Sequence, residues 1–512
     1  MPQQTNNKTI AKNTLFLYFR MMFTMIISLY TSRVILQILG VEDYGIYQAV
    51  GGIVGFLSFI NSALSSGSSR FLTFELGKGN MEKLKRTFST TLTIHIILAL
   101  LIIIIAELCG VWFIENKMNI PVERINAALY TFHLSIITAF FTLTQVPYNA
   151  SIIAHERMSI YAYVSIIEVS LKLLIVYLLT IGDIDRLKLY ATLLLSVQIG
   201  LILFYRYYCS KHFSETKFKL SLDKNIFKEI AGFSGWSLFA NASIALNNQG
   251  ILLLLNMFFS PAVVAARAIS IQVNMAANQF VNNFRTAVNP QIVKKFASGD
   301  YDGSKQLLLS STRYSYYMML ILSLPIYLSA DYLLHIWLGE VPQYTTIFLQ
   351  LIIIQSLFQV FDTSFYTALY AKGRLRENAL ISPTLGFISF PIIYILFKMG
   401  YSPISLSWAN LITYAIIGVI IKPILIIKIV NYSWKDIWGV FSPCLKVTLL
   451  SIPIPLLVYY KTNNTSINSL GIFFLIIIVS IFSVAIVIWF IGIEKDARYK
   501  LQILIKNKIQ RR

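Results

Sequence analysis

Cysteine and histidine are both scarce in this chain. The three cysteines, Cys109, Cys209 and Cys444, stand far apart, and the five histidines form no HxxxH or HExxH arrangement, so no metal centre is expected. Acidic residues are few as well: 23 Asp and Glu against 43 Lys and Arg, for a formal charge of +20. Charge of either sign makes up only 13% of the chain, whereas 56% is hydrophobic. Long polar segments are missing too. The largest connection, "YRYYCSKHFSETKFKLSLDKNIFKEI" at 205–230, is too short for a soluble catalytic domain, so no enzyme activity is expected.

Long apolar runs take the place of all these. "IHIILALLIIIIAELCGVWFI" (95–115) and "LGIFFLIIIVSIFSVAIVIWFIGI" (470–493) each exceed the ~20 residues that cross a hydrocarbon core. The chain therefore reads as an all-α polytopic membrane protein. The opening "MPQQTNNKTIAKN" is polar and runs into a span with no small-residue cleavage site, so no removable leader is expected. Hydrophobic runs separated by polar or Gly/Pro turns place spans near 14–38, 43–68, 88–114, 127–152, 159–181 and 189–208. A second series follows near 233–258, 262–286, 308–330, 344–370, 379–399 and 404–428, with a final pair near 445–460 and 469–492. About fourteen transmembrane helices result.

With the amino terminus inside, the outer turns hold about 6 Lys and Arg, against roughly 33 on the inner turns and termini. This asymmetry places both termini in the cytoplasm and accounts for most of the charge without a nucleic-acid partner. The expected domains are a first six-helix lobe at 1–210, a cytoplasmic connector at 211–230, a second lobe at 231–430, two further helices at 431–493 and a basic cytoplasmic tail at 494–512. That tail reads as an amphipathic helix on the anionic membrane surface, with membrane lipids as partners.

The two series resemble each other. When the second is laid on the first, Gly79 meets Gly299, Asn80 meets Asp300, Glu82 meets Asp302 and Lys85 meets Lys305. With a slightly different offset "AHERM" (154–158) meets "AKGRL" (371–375), so both anchors fall on matching cytoplasmic turns. Repeat-built membrane proteins of this kind bind ligands where the repeats face each other.

The stretch "TSRVILQILGVEDYGIYQAVGGIVGFLSFINSALSSGSSRFLTFELGKGN" (31–80), with "IWLGEVPQYT" (336–345) and "YAKGRLREN" (370–378), resembles bacterial polysaccharide repeat-unit flippases. These are the O-antigen and capsule exporters of the multidrug/oligosaccharidyl-lipid/polysaccharide exporter superfamily. The resemblance implies a MATE-like V of two six-helix lobes, often with two added carboxyl-terminal helices. It also implies a multi-pass protein of the bacterial cytoplasmic membrane that moves undecaprenyl-diphosphate-linked oligosaccharides by ion-coupled alternating access. No cofactor is expected beyond a proton or sodium gradient, and a polysaccharide polymerase and a chain-length regulator are candidate partners.

A sugar-bearing head needs hydrogen-bonding walls in place of water, because an unpaired hydroxyl in hydrocarbon costs roughly 2–7 kcal/mol. Asn and Gln supply donors and acceptors without charge. The segment "AARAISIQVNMAANQFVNNF" (265–284) offers Gln272, Asn274, Asn278 and Asn282; Asn61, Asn247 and Asn248 lie in neighbouring spans. Arg20, Arg33 and Arg267 are candidates for the diphosphate, since arginine forks a phosphate with two parallel hydrogen bonds. Glu168 and Lys172 have the i, i+4 spacing of an ion pair, either a structural one or a switchable pair for ion coupling. Asp362, which has no basic partner on its own helix, is a candidate for proton or sodium coupling.

Two other readings stand beside this one. A drug/cation antiporter would share the fold but calls for an acidic or aromatic cavity, and a membrane-embedded polymerase or ligase needs a large outer loop. A flippase of lipid-linked peptidoglycan precursors is a variant of the first reading. The topology is checked by reporter fusions: one placed after Lys78 or Lys217 should be cytoplasmic and one at Asn464 external, and the reverse at either set would overturn the orientation.

Overall fold

A computed structural model gives the architecture. It describes residues 2–494 apart from 57–59, 61–67, 69–70, 73–74, 77, 156, 182–183, 218, 220, 229–237, 239–241, 243–244 and 464–468, together with 498–499. Within that set the side chains of 2–20, 56, 158–159, 161–162, 247–248, 286–287, 290, 375–379, 382–383, 463 and 469 are also outside the description. All regular structure among the described residues is helical. The principal helices are α1 (Pro2–Phe56), α2 (Met81–Asn116), α3 (Ile125–Ala154), α4 (Met158–Leu178), α5 (Arg186–His212), α6 (Ile251–Phe258), α7 (Pro261–Ala297) and α8 (Tyr301–Leu328). They continue as α9 (Ala330–Leu338), α10 (Thr345–Ala371), α11 (Leu375–Lys398), α12 (Ser405–Ile416), α13 (Lys422–Val430), α14 (Trp434–Ser451), α15 (Pro453–Asn463) and α16 (Ser469–Val487).

Among the described residues 8 helices are long and apolar enough to cross a membrane, or 9 if the pair α8 and α9, bent by 78°, counts as one span. The expected count of fourteen covers the whole chain, whereas this figure covers the described residues alone. The first two expected spans share α1, whose helical geometry breaks at Gly40 (φ 80°, ψ 168°), a conformation open only to glycine. Much of the second and seventh expected spans lies outside the described residues. The eighth, α7, carries so many amides that it fails as an apolar span by composition.

The chain divides into two compact units. The first is Met1–Ala268 with Gly386–Gly400, and the second is Ile269–Leu385 with Tyr401–Arg512. The division falls inside α7. Parts of the connector at 211–230 are docked on the first unit. Glu215 is buried and accepts a hydrogen bond from His155 Nε2 at 2.6 Å, and the His155 ring stacks on Phe213 at 4.1 Å. Farther on, the Lys219 and Asp223 amides donate to the hydroxyls of Ser89 (3.5 Å) and Thr90 (3.2 Å) on α2.

In the first unit, glycines let helices approach more closely than any side chain would permit. A Cβ on Gly45, inside the "LGVEDYG" motif, would sit 2.0 Å from the Pro261 carbonyl oxygen, and one on Gly110 would sit 2.1 Å from the Phe132 ring. Phe132 is fully buried and joins Ile46, Val50, Ala128 and Leu187 in one core cluster. In the same unit Arg124 forks onto Asp43 (2.8 and 2.5 Å) and reaches Asp185 (2.7 Å). Asp185 also caps α5 through the amides of Leu187 and Lys188. Burial raises the Asp185 pKa, but the hydrogen bond from Arg124 and the two amides outweigh it and hold the carboxyl below the usual carboxylate range.

The repeat is visible in each unit's helix ends. Gly79 and Gly299 both have positive φ (70° and 84°), and their amides donate to Leu76 (3.0 Å) and Phe296 (3.1 Å). Asn80 caps α2 by accepting from the Lys83 amide, and Asp300 caps α8 by accepting from the Gly303 amide. At the second anchor Arg157 N–H donates to the Ile152 carbonyl and Arg374 N–H to the Leu369 carbonyl, both at 3.0 Å. The matching residues thus do the same backbone work.

Two outcomes follow. Gly45→Ala should destabilise the purified protein by about 1–3 kcal/mol, the usual cost of overpacking, read as a lower midpoint of thermal unfolding. Asp185, with a depressed folded-state pKa, contributes stability above the unfolded-state value near 4 that is lost as pH falls through the lower folded-state value. Wild-type protein should therefore show no loss of this contribution between pH 7 and 5, and Asp185→Asn should be less stable across that range.

Candidate functional site

Of the candidates in the first unit, Arg33 on α1 is half-buried with no acidic partner among the described residues. Arg267 is more deeply placed, 3% exposed in a stretch of α7 that is buried from Val263 to Ser270. Arg20 lies in α1, but its side chain is outside the described residues, and Asn61 is outside them altogether. Asn247 and Asn248 belong to a π-helical turn, Leu246–Gly250, which runs into α6; their side chains are likewise not described. The next residue, Gln249, lies against α1. Its side chain would meet a Cβ on Gly55 at 3.1 Å and its carbonyl one on Gly52 at 3.5 Å, so glycines make room for the turn. π turns break the α ladder and recur at functional sites.

In the second unit the amide-rich part of α7 presents two faces. One is bonded to α10: Ser270 Oγ donates to the Thr345 carbonyl (3.0 Å), Ser356 Oγ to Asn274 Oδ1 (2.6 Å), and Asn278 Nδ2 to Ser356 Oγ (3.1 Å) and Asn274 Oδ1 (3.0 Å). The same face continues to Arg285. Its guanidinium donates to Ser364 Oγ, to the Thr363 carbonyl (2.5 Å) and to Thr367 Oγ1 (3.0 Å), and Thr367 in turn bonds Asn289 (3.3 Å). Asn274 and Asn278 thus hold two helices together, as polar groups in membrane bundles do. The other face carries Gln272, Gln279 and Asn283, all half-buried, with Asn282 exposed at its margin.

The expected pair of Glu168 and Lys172 forms, with Lys172 Nζ 2.6 Å from Glu168 Oε1. Asp362 has a partner that the sequence did not reveal. Lys422 on α13, only 2% exposed, places Nζ 2.9 Å from Asp362 Oδ1 and 5.5 Å from the centre of the Tyr366 ring. A π turn, Ile417–Ile421, leads into α13, and a Cβ on its Gly418 would come within 2.4 Å of the Phe358 carbonyl on α10. The only hint in the sequence was a lysine in the apolar run "GVIIKPILII". Glu107 and His133 were also passed over: Glu107 Oε2 accepts from His133 Nδ1 at 2.9 Å between α2 and α3. Among the described residues no three His, Cys, Asp or Glu side chains gather as metal ligands.

The first unit also holds a cavity of about 300 Å³. Tyr47, Gly51 and Gly55 of α1, Ser135, Thr138 and Thr142 of α3 and Ala191 of α5 are among its walls. It is largely apolar, with a hydroxyl edge supplied by α3.

Comparison with known proteins agrees with this architecture. The MatE family pattern matches residues 17–178. An uncharacterized membrane protein, EpsK of Bacillus subtilis (strain 168), is 22% identical over 434 residues, covering 82% of this chain and 84% of its own length. The lipid II flippase MurJ in an inward closed conformation aligns with a TM-score of 0.71 at 15% identity, over 92% of this chain and 97% of its own. An inward-facing multidrug resistance MATE transporter aligns with a TM-score of 0.67 at 15% identity, over 81% of this chain and 99% of its own. The chain has the all-helical, MATE-like fold of that superfamily, which is the one its sequence motifs resemble, and it is a multi-pass membrane protein.

The buried pair makes a quantitative prediction. Asp362→Asn or Lys422→Met alone should cost about 3–5 kcal/mol, because each leaves an uncompensated buried charge. The double variant should recover most of the loss in a thermal-unfolding cycle. Additive losses would show that the two side chains act independently.

Proposed function

We propose that this chain, built on the fold of the multidrug/oligosaccharidyl-lipid/polysaccharide exporter superfamily, is a flippase for lipid-linked oligosaccharide repeat units. It carries them from the inner to the outer leaflet of the bacterial cytoplasmic membrane for O-antigen, capsule or exopolysaccharide synthesis. The observation that carries this reading is the chemistry of α7. Across Pro261–Ala297 it holds Arg267, Arg285 and, in its last turn, Lys294 and Lys295, together with the amides described above, and no acidic residue. Cationic groups amid uncharged hydrogen-bonding side chains suit a cargo whose head is an anionic diphosphate joined to sugars.

In this reading Arg33 and Arg267 take the diphosphate, with Arg20 meeting the head nearer the cytoplasmic side. Gln272, Asn282, Asn61, Asn247 and Asn248 replace the water around the sugar hydroxyls, a service worth several kcal/mol for each group that would otherwise be unpaired. Asn274 and Asn278 act one step back, fixing α7 against α10. A second reading, a drug/cation antiporter, is favoured by the likeness to multidrug MATE structures and requires acids where α7 has arginines.

Deletion of the gene followed by lipid extraction separates these readings. Flippase loss leaves complete repeat units on lipid in the inner leaflet and lowers surface polysaccharide; accumulation of peptidoglycan precursors would move the cargo to the cell wall pathway. Hypersensitivity to cationic dyes with normal surface glycan would support the antiporter. In the complemented strain Arg267→Gln should reduce surface polysaccharide per folded transporter by at least about tenfold, equivalent to ~1.4 kcal/mol. Arg267→Lys should restore part of it, because the charge remains without the planar fork.

A further inference from the structure

Glu107 interrupts one of the most apolar helices of the chain, a stretch with mean hydropathy 2.8. It stands nine residues inside Asn116, ~13 Å along α2 at 1.5 Å per residue, and five residues below Trp112, an exposed aromatic of the kind that marks a membrane interface. Opposite it on α3, His133 places Nδ1 2.9 and 3.1 Å from the two carboxylate oxygens. The side chains are 36% and 46% exposed, so neither is sealed inside the helix packing.

Other ionisable groups nearby are occupied elsewhere or sit farther out. On α2 these are Cys109 and Glu115, and on α3 they are Arg124, tied to Asp43 and Asp185, and Tyr130. On α5, Lys188 is bonded to Asn126 at 2.9 Å and lies over the Tyr130 ring at 5.9 Å. None of them is bonded to the Glu107–His133 pair.

An intramembrane acid is costly and is kept for function by default, and histidine is the side chain whose charge changes near neutral pH. We propose that Glu107 and His133 together form a proton-binding site through which the transmembrane proton gradient drives this transporter. The assignment rests on the transport reading above. With the orientation expected from the charge asymmetry, the pair lies in the outer half of the membrane, the side from which protons enter. Proton binding changes the charge of this polar link between α2 and α3. The same α3 supplies Ser135, Thr138 and Thr142 to the cavity wall and carries Pro147 within it, where a helix bends most readily. A proton on the pair can therefore bias how α3 sits against α1 and α2.

The test has an arm that needs no cargo. Cys109 is exposed two residues from Glu107, while Cys209 and Cys444 are buried. An environment-sensitive fluorophore is attached to Cys109 of the full-length protein in lipid nanodiscs at one fixed pH, and its emission is then followed from pH 5.5 to 8. A sigmoidal change is expected in the wild type and in Glu107→Asp, and none in Glu107→Gln or His133→Gln. A second arm measures surface polysaccharide at external pH 5.5 and 7.5 in cells carrying each variant at matched abundance. Wild-type export should fall at least about threefold at the higher pH, and the Gln variants should be low at both.

A wild-type-like pH response of the fluorophore in both Gln variants overturns the proton site. A titrating site with export indifferent to pH, in cells that need the protein for export, overturns the coupling. If deletion leaves surface polysaccharide intact, the cargo reading fails, and the fluorophore arm still judges the site by itself.

Discussion

Hydrocarbon offers a buried polar group nothing to bond with, and this constraint decides where nearly every polar side chain of the structure sits. Several are answered by a partner on a neighbouring helix, and others bond a carbonyl of their own helix. Arg285 takes three oxygens from one stretch of α10, Asn274 and Asn278 share Ser356, and Lys422 meets Asp362. Helix packing in the second unit is therefore specified by directional bonds as much as by shape. Apolar side chains alone would not fix it, since lipid tails solvate leucine as well as another leucine does.

The first unit solves the same problem with size. Where α1 crosses Pro261 and α2 crosses Phe132, glycine removes the side chain and lets the helices meet at the distance of their backbones. Some of its charged clusters lie toward helix ends, Arg124 between Asp43 and Asp185 and His155 on Glu215, whereas Glu168–Lys172 and Glu107–His133 lie farther along their helices. Small residues, Gly51, Gly55 and Ala191 among them, leave room for the cavity beside Tyr47.

The helical class, the approximate spans and the repeat were legible in the sequence because each is a local or periodic signal. Gly79 and Gly299 could be matched as letters before their positive φ was known, and Glu168 with Lys172 could be paired because a helix brings i and i+4 together. Partners far apart in the chain left no such signal. Nothing near Asp362 points to Lys422, and nothing in the α7 stripe shows that two of its amides, Asn274 and Asn278, face Ser356. The fourteen-span count assumed that each apolar run is a helix of its own. The first two runs are two helices joined across a kink at Gly40, and α7 is a helix of its own that is too polar to register as an apolar span.

Two of the three π turns among the described residues, Leu246–Gly250 and Ile417–Ile421, have a consequence for how such helices change over time. A π turn is one residue more than the α ladder holds. The segments before and after it keep their own lipid-facing and protein-facing sides, while the residues within are turned out of register with both. At Leu246–Gly250 those residues are two asparagines and a glutamine, and at Ile417–Ile421 the turn delivers the chain to Lys422. A single inserted codon is enough to make this change, so a helix already committed to the bilayer can acquire a polar position without rebuilding the packing on either side.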